Sequence, residues 1–321
     1  MKHILIVGAG QLGSRHLQGL VQSELALNVT VVDPFAESLD IARIRADEVV
    51  FGNQETNIQY LREVEKDTIF DIGIIATTAN VRFEVFQNLI SNCSVKNIIF
   101  EKVLFQKESE YEAVEKILVS NDMNAWVNCP RRVFPAYKSL KSLLENETCF
   151  ELIVKGNNWG LACNGIHFID LFSYLTGNRG YQLDNALLNE RVIESKRRGF
   201  FEVNGTLKGY DINGNTFELC CDDSAGFSVS VNIVTPNYNV FINETDGDII
   251  VIHNGQETRE VYKPVFQSQL THLYVEEIIE FGESSLTSFS ESKDIHLPFI
   301  RSIREHLEKS LSEKLEACPI T

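Results

Sequence analysis

Positive charge is in short supply in this chain: 29 Lys and Arg face 45 Asp and Glu among 321 residues, a formal charge of 29 − 45 = −16. An acidic surface repels phosphate backbones and anionic membranes at long range. Nucleic acid and membrane are therefore not expected as partners, and any anionic ligand has to be held by local dipoles or a few placed cations. Long hydrophobic runs are missing as well. No stretch approaches the roughly 18 apolar residues of a membrane span. The first residues, Met1 to Gly8, lead directly into a short apolar strand without a small-residue cleavage site. A cytoplasmic location is expected on these grounds. Cysteine is sparse and irregular: Cys93, Cys129, Cys149, Cys163, Cys220, Cys221 and Cys318 form no C-x-x-C pair and read as reduced thiols. Internal repeats and low-complexity segments are absent. The remaining composition, 44% apolar and 23% charged, suits a soluble globular chain with one large or two medium cores. Small molecules are the expected partners.

From residue 3 to about 130, short β-branched apolar runs alternate with helical periodicity. The runs Ile4 to Val7, Val29 to Val32, a weaker Glu48 to Phe51, Ile72 to Ala76, Val95 to Phe100 and Ala125 to Val127 read as strands covered on both faces. Between them, Gln11 to Glu24, Phe35 to Arg45, Arg82 to Ser91 and Lys107 to Ser120 place apolar residues three and four apart, as helices packed by one stripe do. The alternation predicts an α/β Rossmann domain with a doubly wound parallel sheet. Beyond about 145 the texture changes. In Phe227 to Ile233 every odd position is apolar and every even one polar, a strand with one wet face. Similar segments at 150–154, 201–207, 216–221, 239–242 and 249–252 are separated by turns such as Asn213-Gly214, Asp246-Gly247 and Asn254-Gly255. An α+β domain with a large, mostly antiparallel sheet is predicted, with helices near 164–176, 267–282 and 292–316. The chain is accordingly divided into a dinucleotide-binding domain, 1–125, and a substrate-binding and oligomerisation domain, 126–321.

The first strand ends in Gly8-Ala9-Gly10-Gln11-Leu12-Gly13, a helical pattern follows at once, and Asp33 lies 20 residues after Gly13 at the end of the second strand. That context, rather than the bare G-x-G-x-x-G, marks a dinucleotide loop. Gly8 is assigned the tight turn, Gly10 the close approach of backbone to a pyrophosphate, and Gly13 close helix packing; the helix N-terminus attracts the anion. Asp33 would accept hydrogen bonds from ribose hydroxyls and repel a 2′-phosphate, and Pro34-Phe35-Ala36 offers no arginine clamp. NAD is therefore expected over NADP. Thr77 and Thr78, after the fourth strand, could contact the cofactor or could simply cap the next helix.

The fifth strand delivers Glu101 and Lys102 to the same edge. Lys102 is either a solvated strand-end lysine or a group that polarises a substrate oxygen. Farther on, a polar loop, Asn157-Asn158-Trp159-Gly160, enters an apolar helix in which His167, Asp170 and Tyr174 share one stripe. Histidine, whose ordinary pKa is near neutrality, is there a credible general base, with a structural histidine as the alternative.

With those residues in view, the chain resembles the glucose-fructose oxidoreductase, inositol dehydrogenase and rhizopine-catabolism family, Gfo/Idh/MocA, over nearly its whole length. The resemblance implies an NAD(P)-dependent oxidoreductase of sugars, polyols or nucleotide sugars, commonly dimeric or tetrameric through the C-terminal sheet. By position, Lys102 matches the family's motif lysine, His167 its catalytic histidine, and Gly8, Gly10, Gly13 and Asp33 its cofactor residues. Two departures stand out. Val103 replaces the motif proline, where a cis bond costs about 3 kcal/mol, so Lys102 is expected to be aimed differently. Cys163 replaces an aspartate four residues before the histidine, so either Asn164 substitutes or the proton relay is altered.

Arg131, after the sixth strand, could reach a substrate carboxylate or phosphate by bidentate contact. Asn158 and Trp159 would suit sugar hydroxyls and a ring face, with Trp159 equally suited to the core. Lys196-Arg197-Arg198 form the most basic patch and hint at an anionic group. No metal site is expected. The first functional expectation is an NAD-dependent enzyme in which His167 takes a hydroxyl proton and Lys102 holds the same oxygen. The second is an NAD-binding protein without efficient turnover, a sensor or assembly partner, motivated by the two departures.

Overall fold

A computed structural model describes residues 1–195 and 197–321; Lys196 of the basic patch lies outside the described residues. The chain runs β1 (Lys2–Val7), α1 (Gln11–Leu20), β2 (Leu27–Val32), α2 (Ala36–Asp47), β3 (Asn57–Leu61), β4 (Ile69–Ile75), α3 (Ala79–Asn92), β5 (Ser94–Glu101), α4 (Glu108–Ser120) and β6 (Asn124–Asn128). A 3-10 turn at Pro130–Val133 precedes α5 (Pro135–Leu143), β7 (Glu151–Asn157) and α6 (Leu161–Thr176). Strands β8 (Tyr181–Leu188), β9 (Ile193–Glu194), β10 (Phe201–Glu202), β11 (Gly205–Asp211), β12 (Thr216–Asp222), β13 (Ser228–Val234), β14 (Tyr238–Asn243), β15 (Asp248–His253) and β16 (Gln256–Val261) follow. The last elements are α7 (Thr271–Phe281), β17 (Thr287–Ser288) and α8 (Phe289–Leu311). The chain divides into two compact units, Met1–Val133 with Val265–Ser290, and Phe134–Pro264 with Glu291–Thr321.

In the first unit a seven-stranded sheet has the order β17-β6-β5-β4-β1-β2-β3, parallel except for the antiparallel pairing of β17 with β6. Ile4, Leu5 and Ile6 are wholly buried, as strands covered on both faces must be. The chain builds outward from β1 to β3, then returns to β4 on the other side of β1. The reversal lies between β1 and β4, and the crevice beyond their carboxyl ends is where open α/β sheets hold ligands. The third strand is not at Glu48 to Phe51, as the apolar residues suggested, but at Asn57–Leu61, paired with β2. Residues 48–51 form the exit from α2. Val50 is 85% exposed, and the Gly52 amide bonds the Val21 carbonyl at 3.0 Å, leaving no partner strand for this stretch.

In the second unit an eight-stranded sheet has the order β16-β15-β14-β13-β7-β12-β11-β8 and is antiparallel except for β7 with β12; β9 and β10 form a separate two-stranded ribbon. The alternation holds from 229 to 233, where Val229, Val231 and Ile233 are buried and the residues between them are not, but Phe227 lies just before the strand and is 63% exposed. Packed on this core is α6, with Phe172 against Phe217 at 4.9 Å between ring centroids. Two strands escaped the hydrophobic pattern. The six residues of β16 are all exposed, an edge held by its backbone pairing with β15, while β8 at the opposite edge is half wet. Charged side chains along an edge are a common guard against pairing with other chains. Among the described residues no helix is long and apolar enough to cross a membrane.

Candidate functional site

The glycine loop has the geometry its residues imply. Gly8 sits at φ +93°, a left-handed conformation that favours glycine. A Cβ on Gly13 would lie 1.7 Å from the Gly8 carbonyl oxygen, so α1 can start close against the strand end only with glycine there. A Cβ on Gly10, in contrast, would meet no atom within 4 Å. The space beside Gly10 is left open by the protein, and no side chain caps α1 among the described residues, so its first N–H groups remain to meet an anion. Gln11 is exposed and Leu12 half-buried in that first turn. Across the switch point, Thr77 Oγ1 is buried without a hydrogen-bond partner among the described residues. Thr78 is the N-cap residue of α3, yet its side chain makes no capping bond. An open approach at Gly10, uncapped amides and an orphaned hydroxyl together fit a dinucleotide.

Asp33 is turned inward. Its Oδ2 accepts from the Ala9 amide at 2.7 Å and its Oδ1 from the Phe35 amide at 2.9 Å. A carboxylate has about four acceptor positions, so two remain for ribose hydroxyls. An arginine does reach the start of α1, although not from the segment after Asp33. Arg45, on α2, donates to Gln11 Oε1 at 2.7 Å and to Ser14 Oγ at 2.5 Å.

At the end of β5, Lys102 is half-exposed between wholly or almost wholly buried neighbours, Glu101 and Val103 to Phe105. The Lys102–Val103 peptide is cis although no proline follows. Arg82 of α3, a buried guanidinium, donates to the Val103 and Thr77 carbonyls and, at 2.7 Å, to the Leu104 carbonyl, joining the exits of β4 and β5. Glu101 is placed differently from its cofactor-binding assignment. It is 2% exposed, and its Oε1 accepts from His16 Nε2 at 2.7 Å and Asn128 Nδ2 at 2.6 Å. Burial alone would push its carboxyl up; the hydrogen bonds from His16 and Asn128 and the neighbouring Lys102 charge outweigh that and hold it below the usual carboxylate range. Arg131 is half-buried in the 3-10 turn after β6.

In the second unit, Gly160 at φ +77° turns the chain into α6, one turn earlier than the sequence pattern indicated. Most of this helix is buried, with Cys163, Asn164, His167 and Tyr174 half-exposed along one side. Its N-terminus is capped from far along the chain: Glu202 accepts from the Ala162 amide at 3.0 Å and the Cys163 amide at 3.2 Å. A carboxylate thus does stand at residue 163, supplied by β10. The Cys163 thiol donates to the Thr321 carbonyl, and Asn164 Nδ2 donates to the Trp159 carbonyl at 2.6 Å.

The loop before α6 is built into the fold. Trp159 is 3% exposed, with its Nε1 donating to the Cys220 carbonyl at 2.9 Å and its ring edge-to-face with Phe168. The core alternative, rather than a sugar platform, is what the structure places there. Asn158 is exposed at φ +51°, and its Nδ2 donates to the Ser224 and Gly226 carbonyls at 2.6 and 2.9 Å, clamping the turn before β13. Arg197 and Arg198 are exposed. Among the described residues no group of three or more His, Cys, Asp or Glu side chains could hold a metal ion.

Sequence reasoning passed over His16, Arg45, Arg82, Asn128 and Glu202. Only His16 had a local signal, a polar ring three residues after Gly13 in a helix that packs on the sheet. The others acquire their partners through the tertiary fold.

No protein-family model matches the chain, and no curated protein matches its sequence. Solved structures match it over almost their full length. A UDP-N-acetylglucosamine 3-dehydrogenase, GnnA, from Acidithiobacillus ferrooxidans is 14% identical with a TM-score of 0.67, covering 94% of this chain and 96% of that one. An oxidoreductase from Agrobacterium radiobacter, in complex with NAD+, L-tartaric acid and magnesium, is 13% identical with a TM-score of 0.70, covering 93% and 94%. KijD10, a 3-ketoreductase from Actinomadura kijaniata in complex with NADP, is 11% identical with a TM-score of 0.69, covering 95% and 97%. At such identities the likeness is one of fold: a Rossmann domain followed by a mostly antiparallel domain, as in these oxidoreductases.

Proposed function

We propose that this chain is a nicotinamide-dependent oxidoreductase of the Gfo/Idh/MocA type, acting on a secondary hydroxyl or the matching ketone of a sugar, polyol or nucleotide sugar. The observation that carries the reading is the glycine loop, closed by contact at Gly13 and open at Gly10, on the same sheet edge as a half-exposed lysine. Bound nicotinamide supplies the hydride acceptor. In oxidation, His167 takes the hydroxyl proton as the C–H electrons leave as hydride, and a carbonyl forms on the same carbon. Lys102 holds and polarises that oxygen; in reduction it stabilises the growing negative charge and His167 returns the proton. NAD is favoured by Asp33, whose charge opposes a 2′-phosphate; Arg45, bonded to Gln11 and Ser14 at the start of α1, is a cation that could soften the preference.

The likeness in fold to a nucleotide-sugar dehydrogenase and a ketoreductase supports the substrate class of this reading. Titration with NADH and NADPH followed by fluorescence, then a panel of polyols and nucleotide sugars followed at 340 nm, tests the reading. Turnover should fall about 10²- to 10⁴-fold in Lys102→Ala and in His167→Ala. Undiminished turnover in both would reject the mechanism. The alternative of a binding protein without turnover draws on Cys163 and on the structural use of Asn158 and Trp159. It predicts tight NADH binding, indifferent to His167→Ala, and no product from any substrate.

A further inference from the structure

The first unit buries a charged cluster that the reaction above does not use. His16, on the helix that begins at the glycine loop, is 0% exposed and meets Glu101 Oε1 at 2.7 Å. An ionised carboxylate only accepts, so Nε2 of His16 carries the proton and donates. Asn128 from β6 donates to the same oxygen and bridges to Gln267 Oε1 at 2.7 Å. The other ring nitrogen, Nδ1, is faced by Thr271 Oγ1 at 3.2 Å, Tyr274 OH at 3.2 Å and Gln267 Nε2 at 3.3 Å. Lys102 is the remaining charged group near Glu101, while Tyr274, pushed far up by burial, stays a phenol.

A buried pair of this kind is a poor source of stability, because desolvating both groups costs about as much as their attraction returns. Its geometry says what else it does. Glu101 Oε2 faces the Lys102 amide at 3.3 Å, so the carboxylate that His16 grips lies against the peptide of the reactive residue. Arg82 holds the far side of that peptide through Val103 and Leu104. Lys102 is thereby fixed at both flanks, and His16 is the flank that belongs to the cofactor helix.

We infer that His16 is a positioning residue for Lys102: by donating to Glu101 from α1, its imidazole sets the aim of the lysine relative to the helix that receives the dinucleotide. The inference rests on the reading in which Lys102 handles the substrate oxygen, and it deepens that reading.

The test compares His16→Gln with His16→Asn. A glutamine places its amide nitrogen near the position of Nε2 and can still donate to Glu101. An asparagine places it near Nδ1, keeps Thr271, Tyr274 and Gln267 as partners, and falls short of Glu101. The asparagine leaves the buried Glu101 short of one donor and should be the less stable of the two, so urea midpoints establish that both variants are folded under the assay conditions. Lysines are reductively methylated with ¹³C, the Lys102 resonance being assigned by its loss in Lys102→Arg. In His16→Asn this resonance should move, and in His16→Gln it should stay near its wild-type position. NADH affinity should remain within about threefold in both, whereas kcat should fall about 100-fold in the asparagine variant alone, the scale expected of a 1 Å misplacement. In a Lys102→Met background the asparagine should cost less than about twofold more, as groups acting through one another do. An unmoved Lys102 resonance in folded His16→Asn overturns the inference, and so do equal losses in the two variants or a full loss on top of Lys102→Met. A moved resonance in a protein that turns over no substrate would keep the positioning role and reject the enzymatic reading.

Discussion

The surroundings of Lys102 and those of His167 differ in what holds them. Beside Lys102, buried polar groups converge on the backbone: His16 and Asn128 on Glu101, Arg82 on Val103 and Leu104. Beside His167, the groups that sequence offered to a substrate are used by the fold itself, Trp159 on Cys220, Asn158 on the 224–226 turn and Asn164 on Trp159. A lysine held rigidly at both flanks is prepared for one orientation. The helix of His167 instead takes its cap from Glu202 of β10 and a further bond from the chain near Thr321.

The largest effects expected fall on the first region, where two glycines of one loop should behave oppositely. Gly13→Ala forces a Cβ into the Gly8 carbonyl, a backbone group with nowhere to go, and should cost about 3 kcal/mol with loss of NADH binding. Gly10→Ala meets no protein atom and, at an N-cap where alanine is worse than glycine, should cost only about 0.5–1 kcal/mol. Its NADH affinity should nevertheless drop about tenfold or more, a change of about 1.4 kcal/mol. Urea unfolding and fluorescence titration on the two variants separate the effects, and unchanged affinity in Gly10→Ala would mean that no pyrophosphate approaches there.

That contrast also marks how far the sequence could be read. The parallel domain was legible because doubly covered strands and a glycine loop leave local signatures, namely runs such as Ile4 to Val7, three glycines at fixed spacing and an acidic residue 20 positions on. The antiparallel domain was legible wherever one face was wet, as in β13. It failed at β16, whose residues are all exposed and are held by backbone pairing that leaves no pattern in side chains. At 48–51 three apolar residues in a row mimicked a strand while belonging to a helix exit. Site residues divided the same way. Lys102 and His167 are proposed from strand and helix positions that the sequence displays, whereas the buried partners of Glu101 are visible only in the fold, and Glu202 gives no sign in its own neighbourhood that it caps a helix 40 residues earlier.

Glu202 offers the intermediate test, this time of the second region. Its carboxylate accepts from two first-turn amides of α6. Glu202→Gln would turn an amide N–H toward one of those donors and remove a negative charge from the helix N-terminus. A loss of about 1–2 kcal/mol is expected from urea midpoints. NADH affinity, which the proposed function assigns to the other unit, should stay unchanged. A variant as stable as wild type would show that the cap contributes nothing, and the rigidity attributed to the Lys102 region would then have no counterpart near His167.

The smallest effect separates a core tryptophan from a ring that faces a substrate. Trp159→Phe keeps the edge-to-face contact with Phe168 and most of the buried area, and removes one donor from the Cys220 carbonyl. Loss of that one hydrogen bond costs about 1 kcal/mol, enough to shift a urea midpoint measurably. Because the indole is enclosed by its own unit, KM for any substrate that is turned over should stay within about twofold. A tenfold rise in KM at unchanged stability would reverse the assignment: the indole would then meet the substrate through a rearranged loop, and the surroundings of His167 would serve a ligand as directly as those of Lys102 do.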